Sequence, residues 1–149
     1  MKSRLKIKFE ESSNGWYPIT VSNGHKNIQF VASNVPFDPV LELIDAVENC
    51  FLHGVEAEAL MHLEPSYFKW RLVPKGEFVE LNIFFVEEKR SLNMPGNTEL
   101  KGNLELQYSG ESRDVLLAIW WGLREFCSRE TEYQKALVHL DRKVKEFKL

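Results

Sequence analysis

The chain has 149 residues, with 19 Lys and Arg against 22 Asp and Glu, and its formal net charge is −3. A chain of this length is typical of one domain and can bury a core without disulfides or metals. Its 44% hydrophobic and 28% charged fractions argue against extended disorder, and its weak negative charge argues against a general affinity for nucleic acid. We therefore expect a single globular domain over residues 1–149.

The first third of the chain has the alternating pattern of β-strands. Apolar and polar residues alternate over Leu5–Phe9 and again over Ile28–Ala32, and a second strand-like run lies between them at Trp16–Val21. An Asn-Gly pair at positions 23–24 separates the second and third runs and is typical of a β-hairpin. Because Pro18 lacks an N–H group, the second strand is predicted to lie at a sheet edge or to begin at Pro18.

A helix is predicted directly after these strands. Asp38 is a good N-cap residue, and Pro39 suits the first helical position, whose N–H would have no partner. Gly54 supplies the left-handed residue that ends the helix. Between them, apolar residues recur at three- and four-residue spacing and predict one buried face: Val40, Leu41, Ile44, Val47, Phe51 and Leu52.

Further strands and a helical C-terminus follow. The strand-like segments are Val55–Glu64, Phe68–Leu72, Val79–Phe85 and Leu100–Tyr108, and a long loop at Glu87–Thr98 precedes the last of them. From Ser112 onwards the spacing is helical, and either one long bent helix or two helices broken near Ser128–Thr131 fit it. This order predicts an α+β fold, in which a mostly antiparallel sheet of about six to seven strands packs against one central helix and a long C-terminal helix or helix pair.

Membrane, disulfide and catalytic signals are weak or missing in the sequence. No stretch approaches the roughly 18 consecutive apolar residues of a membrane span, and the N-terminus lacks the apolar core of a signal peptide. Cys50 and Cys127 lie within apolar helical patterns, so we expect buried reduced thiols of a cytoplasmic protein rather than a disulfide.

Candidate catalytic and metal sites find no support in any recognised spacing. The motifs GxxxxGK[ST], GxGxxG, GxSxG and HExxH are absent. His62 and Glu64 share one strand face, but their spacing matches no metal-ligand pattern, and neither cysteine lies at a helix N-terminus, where a thiolate would be stabilised. We therefore predict no catalytic residue, no metal site and no cofactor.

The distribution of charge is more informative than any motif. From Asp38 to Glu64 the chain holds seven acids and neither Lys nor Arg, whereas basic residues gather near both ends. The acids fall opposite the apolar face of the predicted helix or on the strand after it, so we predict one acidic surface that docks a basic partner. Its predicted members are Glu42, Asp45, Glu48, Glu56, Glu58 and Glu64. A solvated surface without a binding role is the alternative interpretation.

Trp121 is a second candidate for partner binding. Neighbouring residues on a helix point about 100° apart, so Trp120 and Trp121 cannot both lie at the centre of one buried face. Trp121 shares its side with Leu117 and Arg124, a mixed stripe typical of an interface anchor. A broad core face beneath a twisted sheet would explain the pair of tryptophans equally well.

The middle of the chain combines several short features. They are the helix start at Val35–Asp38, the Leu-rich helix that ends in Gly54, Glu64-Pro65, Tyr67, Trp70-Arg71-Leu72, Gly76, a long helix at Asp114–Glu125, and Tyr133. This combination, over roughly residues 35–140, resembles a group of small uncharacterised bacterial proteins. That group is similar to the immunity proteins of bacterial polymorphic and contact-dependent toxin systems, and the resemblance brings no catalytic residues with it.

These observations lead to one main hypothesis and two alternatives. The main hypothesis is a cytoplasmic protein-interaction module, an immunity protein that neutralises a cognate, basic bacterial toxin by binding and occlusion, without chemistry of its own. The first alternative is a small ligand-binding or enzymatic domain with a pocket between the sheet and the C-terminal helix. The second is a structural homodimer that buries Trp121 and an exposed strand edge.

Overall fold

The computed structural model describes residues 4–10, 14–87, 102–127 and 131–147. Its elements alternate in the order expected from the sequence, and the predicted α+β class is confirmed. They are β1 Lys6–Phe9, β2 Trp16–Ser22, β3 Asn27–Ser33, α1 Pro39–His53, β4 Ala57–His62, β5 Tyr67–Lys75, β6 Phe78–Val86, β7 Asn103–Glu111, α2 Ser112–Cys127, α3 Thr131–Ala136 and α4 Val138–Phe147. The predicted loop at Glu87–Thr98 lies outside the described residues from position 88 onwards.

The seven strands in the described part of the chain form two antiparallel sheets. Sheet A has the order β1-β2-β3, and sheet B has the order β4-β5-β6-β7, with α1 between them in the chain. The predicted number of strands is therefore confirmed, although they are divided between two sheets. The predicted break near Ser128–Thr131 falls on residues 128–130, which lie outside the described residues. Within them the helical C-terminus is divided, since α3 ends at Ala136 and α4 begins at Val138.

The expectation that Pro18 marks an edge strand or a strand start was wrong, because β2 begins at Trp16 and is the central strand of sheet A. The Glu10 N–H donates to the Pro18 carbonyl at 2.9 Å. In an antiparallel strand the N–H and C=O of one residue point toward the same neighbour, so the Pro18 nitrogen also faces the β1 side. Pro18 is opposite the position that follows Phe9, the last residue of β1. Its missing N–H therefore removes no hydrogen bond between the paired residues of β1 and β2.

Helix α1 has both of its predicted ends. The Asp38 carboxylate accepts hydrogen bonds from the N–H groups of Val40 and Leu41, at 2.8 and 3.3 Å. Gly54 has a φ of 67°, and its N–H donates to the Cys50 carbonyl at 3.1 Å. An N-cap carboxylate and a left-handed C-terminal glycine satisfy backbone groups that the helix leaves unpaired.

Buried side chains from both sheets and from helices α1, α2 and α4 form one continuous hydrophobic cluster. Helix α2 approaches β1 so closely that a Cβ added at Gly122 would lie 2.4 Å from the Ile7 carbonyl oxygen. Only glycine permits this approach, which sets the distance between α2 and sheet A.

Cys50 and Cys127 are buried and are not joined in a disulfide, as predicted. Burial raises the pKa of Cys50 to about 11. None of the described helices is long and apolar enough to span a membrane.

Candidate interaction surface

Three of the predicted acids lie together on α1. Glu42, Asp45 and Glu48 follow one another at helical spacing, and Asp45 is exposed whereas the other two are half-buried. The pKa values of Glu42 and Glu48 are raised, chiefly because burial disfavours their charged forms, and the nearby Asp45 carboxylate adds to both shifts. The effect of Asp45 on both neighbours indicates that these like charges are concentrated on one flank of the helix.

Glu56 and Glu58 lie in a different electrostatic environment. The Arg71 guanidinium is 3.0 Å from Glu56 Oε1 and 3.1 Å from Glu58 Oε1, and Lys69 Nζ is 4.0 Å from Glu58. Arg71 is opposite Glu58 in the pairing of β4 with β5. Such exposed ion pairs contribute little stability, about 0–1 kcal/mol each, but they place positive charge among the predicted acids. The segment Asp38–Glu64 contains neither Lys nor Arg, so the positive charge beside its acids comes from Lys69 and Arg71 on the neighbouring strand, β5.

Glu64 lies beside the connection between β3 and α1. Ser33 Oγ donates to Glu64 Oε1 at 3.2 Å, and the Val35 N–H donates to Ser33 Oγ at 3.1 Å. Glu64 itself has a left-handed φ of 58°. The shared hydroxyl of Ser33 thus links the turn after β4 to the connection that leads into α1.

That connection carries two exposed apolar side chains, which are not among the predicted binding residues. Val35 is 58% exposed and Phe37 is 55% exposed. The Phe37 ring lies next to His62, with 6.4 Å between ring centroids. The sequence does contain a signal for the exposure of Phe37. This residue directly precedes the N-cap, and an apolar residue at that position often packs against the fourth residue of the helix. In α1 the fourth residue is Glu42, which is not apolar. The usual apolar partner of such a side chain is therefore replaced by a carboxylate.

The residue after Phe37 is held by a hydrogen-bonded cluster that sequence spacing could not reveal. Asp38 Oδ2 accepts a hydrogen bond from the Tyr133 hydroxyl and another from the Tyr17 hydroxyl, the latter at 3.3 Å. The two phenol oxygens lie 3.1 Å apart. Burial and the bond to Asp38 raise the pKa of Tyr133 above its usual range, because both favour the protonated phenol.

Trp121 lies on another surface. Its side chain is 55% exposed, whereas Trp120 is buried and donates to Asp141 Oδ1 at 2.8 Å. Trp121 lines an open groove of about 810 Å³ between α2 and the β1–β2 strands of sheet A, and none of the six predicted acids lines this groove. Its charged side chains are Lys6 and Lys8 on the β1 side and Asp114 and Glu125 on the α2 side.

Within the described ranges, no group of three His, Cys, Asp or Glu side chains is placed to hold a metal ion. Three of the six predicted acids form no ion pair with a described Lys or Arg and are named here the α1 acids (Glu42, Asp45 and Glu48). Glu56 and Glu58 are ion-paired with Arg71, and Glu64, in the turn after β4, accepts a hydrogen bond from Ser33. Exposed carboxylates beside an exposed aromatic ring form a surface suited to a basic protein partner.

Comparisons with known proteins bear on the fold. No family model matches the chain, and no curated protein matches it in sequence. Among solved structures, a chain of the CdiA-CT/CdiI toxin and immunity complex from Enterobacter cloacae superimposes with a TM-score of 0.50. The two chains are 11% identical, and the match covers 81% of this chain and 99% of that chain. The protein is therefore similar in fold to a component of a toxin–immunity complex, in agreement with the resemblance noted in its sequence.

Proposed function

We propose that this protein is an immunity protein, which binds a cognate bacterial toxin with a basic surface in the cytoplasm and neutralises it by occlusion. The observation that carries the proposal is the structural likeness to a chain of a toxin and immunity complex, at a TM-score of 0.50 over nearly all of that chain. Likeness of fold does not by itself assign an activity, so the docking surface is argued from the residues of this chain.

The α1 acids support a basic partner. Within the described part of the chain, neither Lys nor Arg forms an ion pair with Glu42, Asp45 or Glu48. Clustered carboxylates that are not ion-paired with Lys or Arg create a negative potential that accelerates encounter with a basic protein and disfavours acidic ones. Glu56, Glu58 and Glu64 extend the proposed docking surface, although the first two share the charge of Arg71.

Co-expression tests this proposal. The chain is first expressed alone in bacteria, where we expect normal growth; growth arrest would instead assign the toxic role to this chain. It is then expressed with the toxic C-terminal domain that we expect a neighbouring gene to encode, and we expect it to restore growth. Failure to restore growth or to bind that domain in a pull-down assay would contradict the proposal.

Charge-reversal variants test the acidic surface in the same assay. Asp45→Lys and the double variant Glu56→Lys/Glu58→Lys should weaken protection, because both place positive charge where the basic partner is proposed to dock. Glu77→Lys is the matched control, since Glu77 is exposed in the turn between β5 and β6, outside the proposed docking surface. Equal protection by all these variants would contradict docking at the acidic surface.

The groove beside Trp121 favours a second candidate function, the binding of a small ligand or of a second copy of the chain. Its volume of about 810 Å³ is within the range of small-molecule sites. Basic groups on one side and acidic groups on the other would also let two copies related by a two-fold axis pair their charges reciprocally. Sedimentation velocity over a wide concentration range tests the dimer, which Trp121→Ala should weaken. A monomer at every concentration would exclude the dimer under those conditions.

A further inference from the structure

We propose that residues 34–37, named here the anchor loop, form the anchor of the toxin interface. Phe37 inserts into an apolar pocket on the basic partner, and neighbouring carboxylates pair with Lys or Arg at the rim of that pocket. This inference rests on the proposed function and deepens it, because it identifies the side chain that contributes most to binding.

The exposure of the anchor loop is the first argument. Val35 and Phe37 are two residues apart and are 58% and 55% exposed, so more than half of each apolar side chain faces water. Neighbouring exposed apolar side chains rimmed by polar groups are typical of protein-binding sites. Phe37 lacks the apolar helix residue that commonly covers such a side chain, since Glu42 occupies that position. A partner's pocket would remove the ring from water.

The second argument is that the anchor loop is held at both ends. On the β3 side, the Asn34 N–H donates to the Gly15 carbonyl at 2.9 Å, and the Val35 N–H donates to Ser33 Oγ at 3.1 Å. On the α1 side, Asp38 caps the helix and accepts bonds from two tyrosines. A loop that is already ordered loses little conformational entropy on binding, so more of the contact energy appears as affinity.

The third argument is the charge around the ring. Glu42 lies one helical turn after Phe37, and Glu64 is joined to Ser33 at the start of the same connection. Aromatic side chains, Phe included, are enriched at protein interfaces, whose rim is polar.

The chain offers a matched control for Phe37. Phe78 is 50% exposed, so its ring meets water to nearly the same extent. It begins β6, opposite Lys75, whereas the other end of β6 pairs Val86 with Tyr67, whose ring is near His62. Phe37 and Phe78 are therefore associated with opposite ends of sheet B. Truncation of either removes a similar exposed side chain without opening a cavity in the core.

The experiment measures the dissociation constant between the purified protein and a catalytically inactivated form of the toxic domain against which it protects cells in the co-expression test. We expect Phe37→Ala to weaken binding about 30-fold, as truncation of a hot-spot residue does, and Phe78→Ala to change it less than about twofold. Phe37→Lys should weaken binding further, because it adds positive charge opposite a basic partner. Thermal melting of each variant verifies that the fold is retained.

The outcomes separate this inference from the proposed function. If the wild-type protein does not bind the toxic domain, the proposed function fails and the inference fails with it. If the wild-type protein binds but Phe37→Ala and Phe78→Ala have equal affinity, the proposed function stands and the anchor loop is overturned as its anchor. Selective weakening by the two Phe37 variants supports the inference.

Discussion

Tyr133 donates a hydrogen bond to Asp38, the N-cap residue of α1, across 95 positions of sequence. The same carboxylate accepts a bond from Tyr17 in β2, so one side chain connects sheet A, the start of α1 and α3. The Phe126 ring of α2 lies against both tyrosines, with centroid distances of 5.9 and 5.5 Å. This cluster joins the C-terminal helices to the start of the central helix, directly beside the anchor loop.

Removal of the Tyr133 hydroxyl should destabilise the protein. We expect Tyr133→Phe to lower the free energy of unfolding by about 1.5–3 kcal/mol, because a buried hydrogen bond to a charged group is lost. Urea denaturation measures the change. Asp45→Ala is the control, since Asp45 is exposed on the same helix as the capped terminus, and it should change stability by less than about 0.5 kcal/mol. Equal effects of the two variants would show that the cluster contributes no special stability.

Alkaline pH should destabilise the protein through two buried groups. The pKa of Cys50 is raised from 9.0 to about 11, and the pKa of Tyr133 is also raised. The unfolded chain therefore loses these protons at lower pH than the native protein does. Their contribution is fully present below the unfolded pKa values and declines as pH rises above about 9 for the thiol and about 10 for the phenol.

Denaturant midpoints measured from pH 7 upwards test this decline. Cys50→Ala removes the thiol, so its stability should depend less steeply on pH between 9 and 11 than that of the wild type. Comparison of the slopes, rather than of the absolute stabilities, removes the cost of the cavity that the substitution creates. Identical slopes would contradict the assigned role of Cys50.

Acidic pH should act through Glu80 on β6. Its carboxylate accepts hydrogen bonds from Lys75, Asn82 and Gln107 at 2.7, 2.8 and 3.1 Å. The Lys75 bond is the largest cause of a pKa lowered from 4.5 to about 2, and the two amide bonds add to it. The native protein therefore binds this proton less readily than the unfolded chain. The stability from Glu80 is present above pH 4.5 and is lost as pH falls toward 2.

Glu80→Gln should consequently lose stability at neutral pH and should show a smaller decline between neutral and acidic pH. Urea midpoints at several pH values measure both effects. Glu77→Gln, in the adjoining turn, is the control and should retain the wild-type pH dependence. A Glu80→Gln protein with the full wild-type decline in acid would contradict the role of this carboxylate.

Gly122→Ala should destabilise the protein although alanine favours helices. The propensity gain of about 1 kcal/mol is outweighed because the new Cβ would lie 2.4 Å from the Ile7 carbonyl oxygen and force α2 away from β1. We expect a net loss of about 1–3 kcal/mol by chemical denaturation, as for other overpacked positions. Arg113→Ala, exposed near the start of the same helix, is the control and should be close to neutral. A stabilised Gly122→Ala protein would disprove the close approach.

Much of the secondary structure could be predicted because its signals are local. The alternation over β1 to β3 and the caps of α1 depend on residues a few positions apart, which favour the same conformation in any context. The role of Pro18 was misjudged for the complementary reason. Whether a missing N–H interrupts a sheet depends on where the neighbouring strand ends. β1 ends at Phe9, and the residues around Pro18 in β2 do not indicate that end.

The candidate site was only partly predictable. The helical spacing of Glu42, Asp45 and Glu48 was enough to place them on one flank of α1. The sequence did not reveal that Arg71 pairs with Glu56 and Glu58, since that contact depends on the register between β4 and β5. Exposure of Phe37 also depended on the packing around it, because an apolar residue before a helix is commonly covered.

The sequence by itself determined the α+β class, the ends of α1 and an acid-rich stretch between Asp38 and Glu64. These features follow from conformational preferences and charges that act over a few residues. Only the tertiary structure decided which charges keep no counter-ion, which aromatic rings face water, and that Tyr133 meets Asp38. These contacts and exposures depend on how distant segments pack together, because the side chains that packing buries determine which charges and rings are left on the surface.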